Sequence, residues 1–247
     1  MTRQKQPNRG IYLLPNLFTT AGLFAGFYAI IAAIRADFDA AASAVFIAMV
    51  MDGLDGRIAR LTQTQSDFGA EYDSLADMVS FGLAPALVIY QWSLLDMGKL
   101  GWMVAFIYAA CGALRLARFN TQIGIQDKRY FQGLPSPAAA ACLAGWVWTG
   151  VSNGLNPTLV TSMALPLTFI CGILMASTVR YYSFKELDLQ GKVPFVVMLV
   201  LVLIFAFIAI DPPTILFGGF VIYALSGPVM TLGKLRQRRS ERQKKKH

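Results

Sequence analysis

Eight apolar runs, near residues 11–34, 40–60, 74–95, 100–119, 134–152, 158–180, 193–210 and 213–233, leave this chain little choice of fold. Each is close to the roughly 20 apolar residues needed to cross a hydrocarbon core. Inside lipid, backbone N–H and C=O groups must be satisfied within the segment, so such runs become helices. Composition agrees: 15% of the residues are charged and 55% are hydrophobic, whereas an average soluble domain carries about 25% charged residues. The expected fold class is an all-α polytopic membrane protein of about eight transmembrane helices. It forms a single integral-membrane domain over 1–235, followed by a basic, disordered tail over 236–247. The N-terminal "MTRQKQPNRG" is basic, but the run after it lacks a small-residue cleavage site and is expected to remain as the first membrane helix.

Lys and Arg number 22 against 14 Asp and Glu, a net charge of +8. Such an excess would suggest nucleic acid as a partner if it were spread over a soluble surface. Here its distribution points to a bilayer instead. With eight spans and both termini in the cytoplasm, every Lys and Arg except Arg35 and Lys99 falls on the cytoplasmic side or at a cytoplasmic helix end. That is the asymmetry of the positive-inside rule. The tail "KLRQRRSERQKKKH" also suits anionic lipid headgroups. Cys111, Cys142 and Cys171 lie in separate apolar runs with no CxxC pair, and read as small buried hydrophobes. The one histidine is the final residue, His247, so histidine catalysis is not expected.

Against this apolar background stands "MDGLDGRIARLTQTQSDFGAEYDSLADM" (51–78), with Asp52, Asp55, Asp73 and Asp77 at the edges of two runs. Entering from the outside near Ala40, the second helix reaches Asp52 after about 18 Å at 1.5 Å per residue. Asp77 lies roughly 27 Å from the outer end of the third helix by the same rise. All four carboxylates therefore belong to the cytoplasmic part of the membrane, on helices joined by a short loop from Leu61 to Tyr72. Asp52 and Asp55 are spaced i, i+3 and Asp73 and Asp77 i, i+4, so each pair shares a helix face. Four converging carboxylates raise one another's pKa and cannot all stay ionised without a partner. Arg57 points off this face. Hard divalent cations such as Mg²⁺ take oxygen ligands, and two ions about 3.5–4 Å apart can share bridging carboxylates. Gly53, Gly56 and Gly69 interrupt these helices at a cost of roughly 1 kcal/mol each relative to alanine. That cost is understandable where a ligand approaches the backbone. Arg60 adds a planar fork suited to phosphate.

The pattern Asp52-x-x-Asp55-Gly56-x-x-Ala59-Arg60, then Gly69-x-x-x-Asp73-x-x-x-Asp77, places eight fixed residues within 26. It resembles the full signature of the CDP-alcohol phosphotransferase family. The resemblance implies transfer of the phosphatidyl group of CDP-diacylglycerol to an alcohol with release of CMP. It also implies two divalent cations, Mg²⁺ or Mn²⁺, held by Asp52, Asp55, Asp73 and Asp77, with Asp77 as general base. Gly56, Arg60 and Ser66 would contact the nucleotide and diphosphate. "LPNLFT" (14–19) resembles the family's first-helix segment, so Asn16 and Thr19 would join the same site. A homodimer is implied as well. No Cys, His or activated Ser nucleophile is evident, which favours direct attack on the donor.

The signature does not name the alcohol. "ALRLARFN" (113–120) and "FQGLPSPAAA" (131–140) resemble segments of the phosphatidylserine synthase branch, whose acceptor is L-serine. Arg115 and Arg118, i, i+3 on one face, offer a guanidinium pair for serine's carboxylate, with Asn120 beside them. Both arginines also fit as positive-inside anchors, and a glycerol phosphate or inositol phosphate acceptor would suit them too. Pro135 and Pro137 start the fifth helix, with Ser136 as a capping candidate. "GLFAG" (22–26) has small residues four apart, suited to packing the first helix or to a dimer. A divalent-cation transporter is the rival from another class. Transporter sites usually sit near the midplane on repeated, broken helices, and residues 120–247 carry no second copy of the aspartate pattern.

Overall fold

A computed structural model describes residues 13–62, 64, 66–121, 130–182 and 195–244. The basic N-terminal segment and His247 lie outside these residues. Eight helical segments follow the eight apolar runs: α1 (Leu13–Ile34), α2 (Phe38–Leu61), α3 (Asp67–Met97), α4 (Lys99–Thr121), α5 (Ser136–Ser152), α6 (Pro157–Ala176), α7 (Phe195–Ile210) and α8 (Pro212–Lys244). Among the described residues, five helices are long and apolar enough to cross a membrane: α1, α3, α4, α6 and the Pro212–Thr231 part of α8. The other three fall short of that measure for visible reasons. The second half of α2 carries Asp52, Asp55, Arg57 and Arg60. Helices α5 and α7 have only 17 and 16 residues.

Two boundaries differ from the sequence expectation. The α2–α3 connection is shorter than Leu61–Tyr72, because Ser66 in extended conformation accepts the Gly69 N–H at 3.0 Å and starts α3 at Asp67. The backbone of α8 stays helical to Lys244, through the segment from 236 expected to be disordered. Lys, Arg, Gln and Glu are good helix formers and extend the apolar helix without a break.

Packing between α1 and α2 rests on small side chains. Ala25, Ala29, Ala32 and Ala33 meet Ala41, Ala44, Val45 and Ala48 in a buried seam, which lets the backbones approach closely. The "GLFAG" glycines serve this packing. A methyl group on Gly26 would lie 2.5 Å from the Ser80 hydroxyl oxygen of α3, and one on Gly22 would touch Met51 of α2. Helix α5 is buried nearly all round and packs on α2, α3, α6 and α8, so it forms the centre. The cysteines are free and buried, as expected.

Helix α3 is not regular. Pro85 has no N–H to give to Phe81, four residues before it, and its ring crowds that carbonyl. The helix widens into a π-helical turn over Met78–Leu83, where the Ala84 N–H reaches back five residues to Val79. The buried Tyr108 of α4 donates its hydroxyl to the Phe81 carbonyl at 3.1 Å. Asp77 is the residue immediately before the widened turn.

A two-stranded antiparallel ribbon, β1 (Tyr130–Gln132) and β2 (Arg180–Tyr182), joins the chain ends after α4 and α6. Tyr181 is buried and donates to the Ala224 carbonyl at 2.9 Å, which pins the ribbon to α8. Gly133 follows β1 at φ +78°, and any side chain there would meet the Met175 carbonyl at 2.3 Å.

Candidate active site

Asp52 and Asp55 approach from α2 and Asp73 from α3, and one carboxylate oxygen of each lies within 4.8 Å of the others. Asp55 is the most buried of the three. Thr19 of α1 donates to its Oδ2 at 2.8 Å, so a third helix orients the cluster. Asp77 stands outside this triad, yet lines the same small cavity as Asp52, Asp55 and Asp73. That cavity is about 10 Å³, close to the ~10–15 Å³ that a single water-sized occupant needs. Carboxylate oxygens from two helices around so small a space make a hard-donor set that fits a divalent cation.

Beside the triad opens a cleft of about 540 Å³. Asn16, Thr19, Gly56, Arg60 and Ser66, all five residues expected at the donor site, line it together with Asp55 and Asp73. Each helix contributes for a local reason. Gly69 lets α3 approach α1: its missing side chain would lie 3.1 Å from Ser66 Oγ and 3.5 Å from Asn16 Oδ1. Gly53 and Gly56 face open space, where an added methyl would meet nothing within 4 Å. An open glycine face beside carboxylates is room for a ligand. Arg60 is exposed, its Nε donating to its own helix at the Gly56 carbonyl (2.9 Å). That bond leaves the terminal guanidinium nitrogens of this cleft-lining residue for other partners. Ser66 spends one lone pair on the Gly69 N–H and keeps a hydroxyl proton to donate. Thr64 and Asp67 also line the cleft and were not anticipated. Nothing in their spacing marks them apart from their proximity to Ser66.

The three residues expected at the acceptor site separate. Asn120 exchanges hydrogen bonds with Ser74 of α3, at 3.0 and 3.2 Å. Arg118 gives Nη1 to the Ala176 carbonyl and Nη2 to those of Gln132, Met175 and Ser177, at 3.1–3.4 Å. Its guanidinium closes the C-terminal end of α6 and ties that end to β1. Such a guanidinium is a clamp on backbone, which departs from the expected guanidinium pair. Arg115 differs from both: it is buried and lies within electrostatic reach of Asp77. Ser136 is not the cap of α5. Pro135 takes that position, and Ser136 Oγ accepts instead from Arg115 Nη1 at 2.8 Å.

The domain model of CDP-alcohol phosphatidyltransferases matches residues 12–174, a stretch that contains the triad, the cleft and Arg115. This chain belongs to the CDP-alcohol phosphatidyltransferase family. Among its curated relatives, CDP-diacylglycerol–serine O-phosphatidyltransferase of Helicobacter pylori is 36% identical over 219 residues, covering 89% of this chain and 92% of the relative. The protein of the same name from Methanocaldococcus jannaschii is 40% identical over 144 residues, 58% of this chain and 64% of the relative. Archaetidylserine synthase of Methanothermobacter thermautotrophicus is 32% identical over 170 residues, 68% of this chain and 69% of the relative. For a CDP-alcohol phosphatidyltransferase, a cleft pairing hard oxygen donors with an arginine and open glycines is chemically apt. The donor brings a diphosphate, and the reaction must stabilise the charge of a leaving nucleotide.

Proposed function

We propose that this protein transfers the phosphatidyl group of CDP-diacylglycerol to L-serine, giving phosphatidylserine and CMP. The observation that carries the reading is the Asp52–Asp55–Asp73 triad opening onto a cleft lined by Asn16, Thr19, Gly56, Arg60 and Ser66. The serine synthases among its relatives support the acceptor. Residues 1–235 form the integral-membrane catalytic domain with eight spans. Both termini, the basic segment 236–247 and the active site face the cytoplasm, at the inner membrane if the organism is bacterial. The enzyme works as a homodimer with two divalent cations, Mg²⁺ or Mn²⁺, per site.

In this reading Asp52, Asp55 and Asp73 hold the cations, with Asp77 closing the set. When bound, the cations supply charge neutralisation for the diphosphate and for departing CMP. Asn16, Thr19, Arg60 and Ser66 orient the CDP group in the cleft, while Gly53 and Gly56 leave it space. The serine hydroxyl oxygen forms the new bond at the phosphorus that carries diacylglycerol. The P–O bond to CMP breaks with its electron pair on CMP, and Asp77 accepts the hydroxyl proton. Arg115 pairs with the serine carboxylate.

The test uses purified protein, Mg²⁺ or Mn²⁺ and CDP-diacylglycerol, scoring CMP release with L-serine, glycerol phosphate and inositol phosphate in separate arms. CMP release with serine alone is expected. Release with one of the phosphorylated alcohols instead would keep the family chemistry and overturn the acceptor.

A further inference from the structure

Two residues of the expected acceptor site spend side-chain hydrogen bonds on the fold. Arg118 holds four backbone carbonyls and Asn120 holds Ser74. Arg115 differs from both. It is 9% exposed, its Nη1 is on Ser136 Oγ at 2.8 Å, and its buried Nε has no hydrogen-bond partner among the described residues. Leaving a buried charged donor unmade is costly, so such a group marks a place where an acceptor atom is missing. Ser136 is itself 1% exposed at the start of the central helix, so it holds Nη1 from a rigid position.

The shape of a guanidinium turns this into a prediction of ligand chemistry. Nε and the Nη beside it form one edge, suited to a carboxylate through two parallel bonds. With Nη1 committed to Ser136, the Nε edge is the one left for a ligand, on an arginine within electrostatic reach of Asp77. We propose that Ser136 is a specificity-determining positioning residue: it fixes the Arg115 guanidinium so that its Nε edge receives the carboxylate of an amino-acid acceptor. Arg115 and Ser136 then make the enzyme choose an amino acid over the corresponding amino alcohol. A site built to pair a substrate group rejects the analogue lacking it, because its own buried donor is then left unpaired.

This inference rests on the serine reading above, and its test separates the two. The full-length protein is assayed for CMP release with CDP-diacylglycerol and either L-serine or ethanolamine, which is serine without its carboxylate. Wild type is expected to use serine and reject ethanolamine. Arg115→Ala should raise the serine KM by about 10- to 100-fold, the loss of one charged hydrogen-bonding pair. Ser136→Ala should raise it by roughly 5- to 10-fold, one ordinary hydrogen bond, and Ser136→Thr, which keeps the hydroxyl, should restore most of it. In both alanine variants the CDP-diacylglycerol KM should stay within about twofold, and the preference for serine over ethanolamine should shrink. Arg115→Lys keeps the charge without the fork and should behave like the alanine variant, which covers the case of a poorly folding Arg115→Ala. If wild type uses serine but Ser136→Ala and Arg115→Lys keep its KM and its preference over ethanolamine, the assignment of Ser136 and Arg115 is wrong and the proposed function stands. If the KM values of serine and CDP-diacylglycerol rise together, the role is merely structural and the proposal is overturned. A wild-type enzyme that releases no CMP with serine overturns both.

Discussion

Asp52, Asp55 and Asp73 sit on two helices joined by residues 62–66, and their carboxylates meet. Arg115, Arg118 and Asn120 are spaced as closely on a single helix, yet their polar groups go to three different places. The difference lies in side-chain length and in where the partners come from. An aspartate carboxylate stays near its own backbone, so helical spacing and a short loop nearly determine where it ends up. An arginine reaches several ångströms from its helix, and its destination is set by carbonyls or hydroxyls supplied elsewhere. For Arg118 these are residues 132 and 175–177, and for Arg115 the partner is Ser136. Short acids at fixed spacing make a site by themselves. Long bases need the rest of the fold.

The sharpest way to break this contrast is to neutralise the short acids. Asp52→Asn, Asp55→Asn or Asp73→Asn keeps shape but cannot balance a divalent charge. Each should lower turnover by more than the ~10–100-fold that losing even an outer partner of a metal ligand costs, and should shift the Mg²⁺ requirement upward. Near-normal rates with an unchanged Mg²⁺ titration in any of the three would remove that residue from the metal site. Asp77→Asn should come next in size. As the proposed base it would carry about 10²–10⁴-fold of rate, while the Asp52–Asp55–Asp73 triad proposed for the cations remains intact. Calorimetry should therefore show CDP-diacylglycerol binding close to wild type in the presence of metal. Binding that falls in step with rate would make Asp77 a ligand only.

The positions of the helices were legible because burial in lipid forces long apolar runs into helices, and each of the eight runs overlaps a helical segment among the described residues. Less legible were features that depend on contacts between distant residues. The start of α3 lies several residues before the apolar run at 74, because the polar first turn that Ser66 caps carries no hydropathy signal. The ribbon of β1 and β2 pairs residues about 50 apart and gives no periodic signal over three residues. Ser136 followed a proline at a helix start, so it read as a cap. Its partner, Arg115, lies 21 residues away. The cleft beside the triad was legible for a different reason: the family resemblance implied Asn16, Thr19, Gly56, Arg60 and Ser66 together, and all five line it.

Smaller effects probe the arginines. Arg60→Lys leaves a charge but loses the planar fork, and should raise the apparent KM for CDP-diacylglycerol by about 10-fold with little change for serine. A wild-type value would take Arg60 out of the donor site. Arg118→Ala should act on stability instead, at about 1.5–3 kcal/mol for a guanidinium held by carbonyls, read as a lower midpoint in thermal unfolding. Catalysis per folded molecule should be nearly unchanged. A selective rise in serine KM with an unchanged midpoint would return Arg118 to the acceptor site.

Tyr108 joins the two regions, and changing it should move the kinetic constants less than any active-site substitution above. It lies on α4 two turns before Arg115, and it holds the Phe81 carbonyl in the widened turn that follows Asp77. Pro85 cannot serve that carbonyl, so the buried hydroxyl stands in for a missing N–H. Tyr108→Phe keeps the ring in the core and removes one hydrogen bond, at about 1–3 kcal/mol if the carbonyl is left unpaired. If the turn only stabilises the fold, the unfolding midpoint should drop and every kinetic constant should hold. The geometry favours more than that, because both Asp77 and Arg115 are positioned by elements that meet at this bond. The expected result is a small loss of stability with a several-fold fall in kcat and a several-fold rise in serine KM, while CDP-diacylglycerol binding stays unchanged. The cleft proposed for the donor is lined by α1, α2 and the start of α3, upstream of the widened turn. Equal effects on donor and acceptor would mean that the two regions share one rigid body and that the distinction drawn between them fails at this helix.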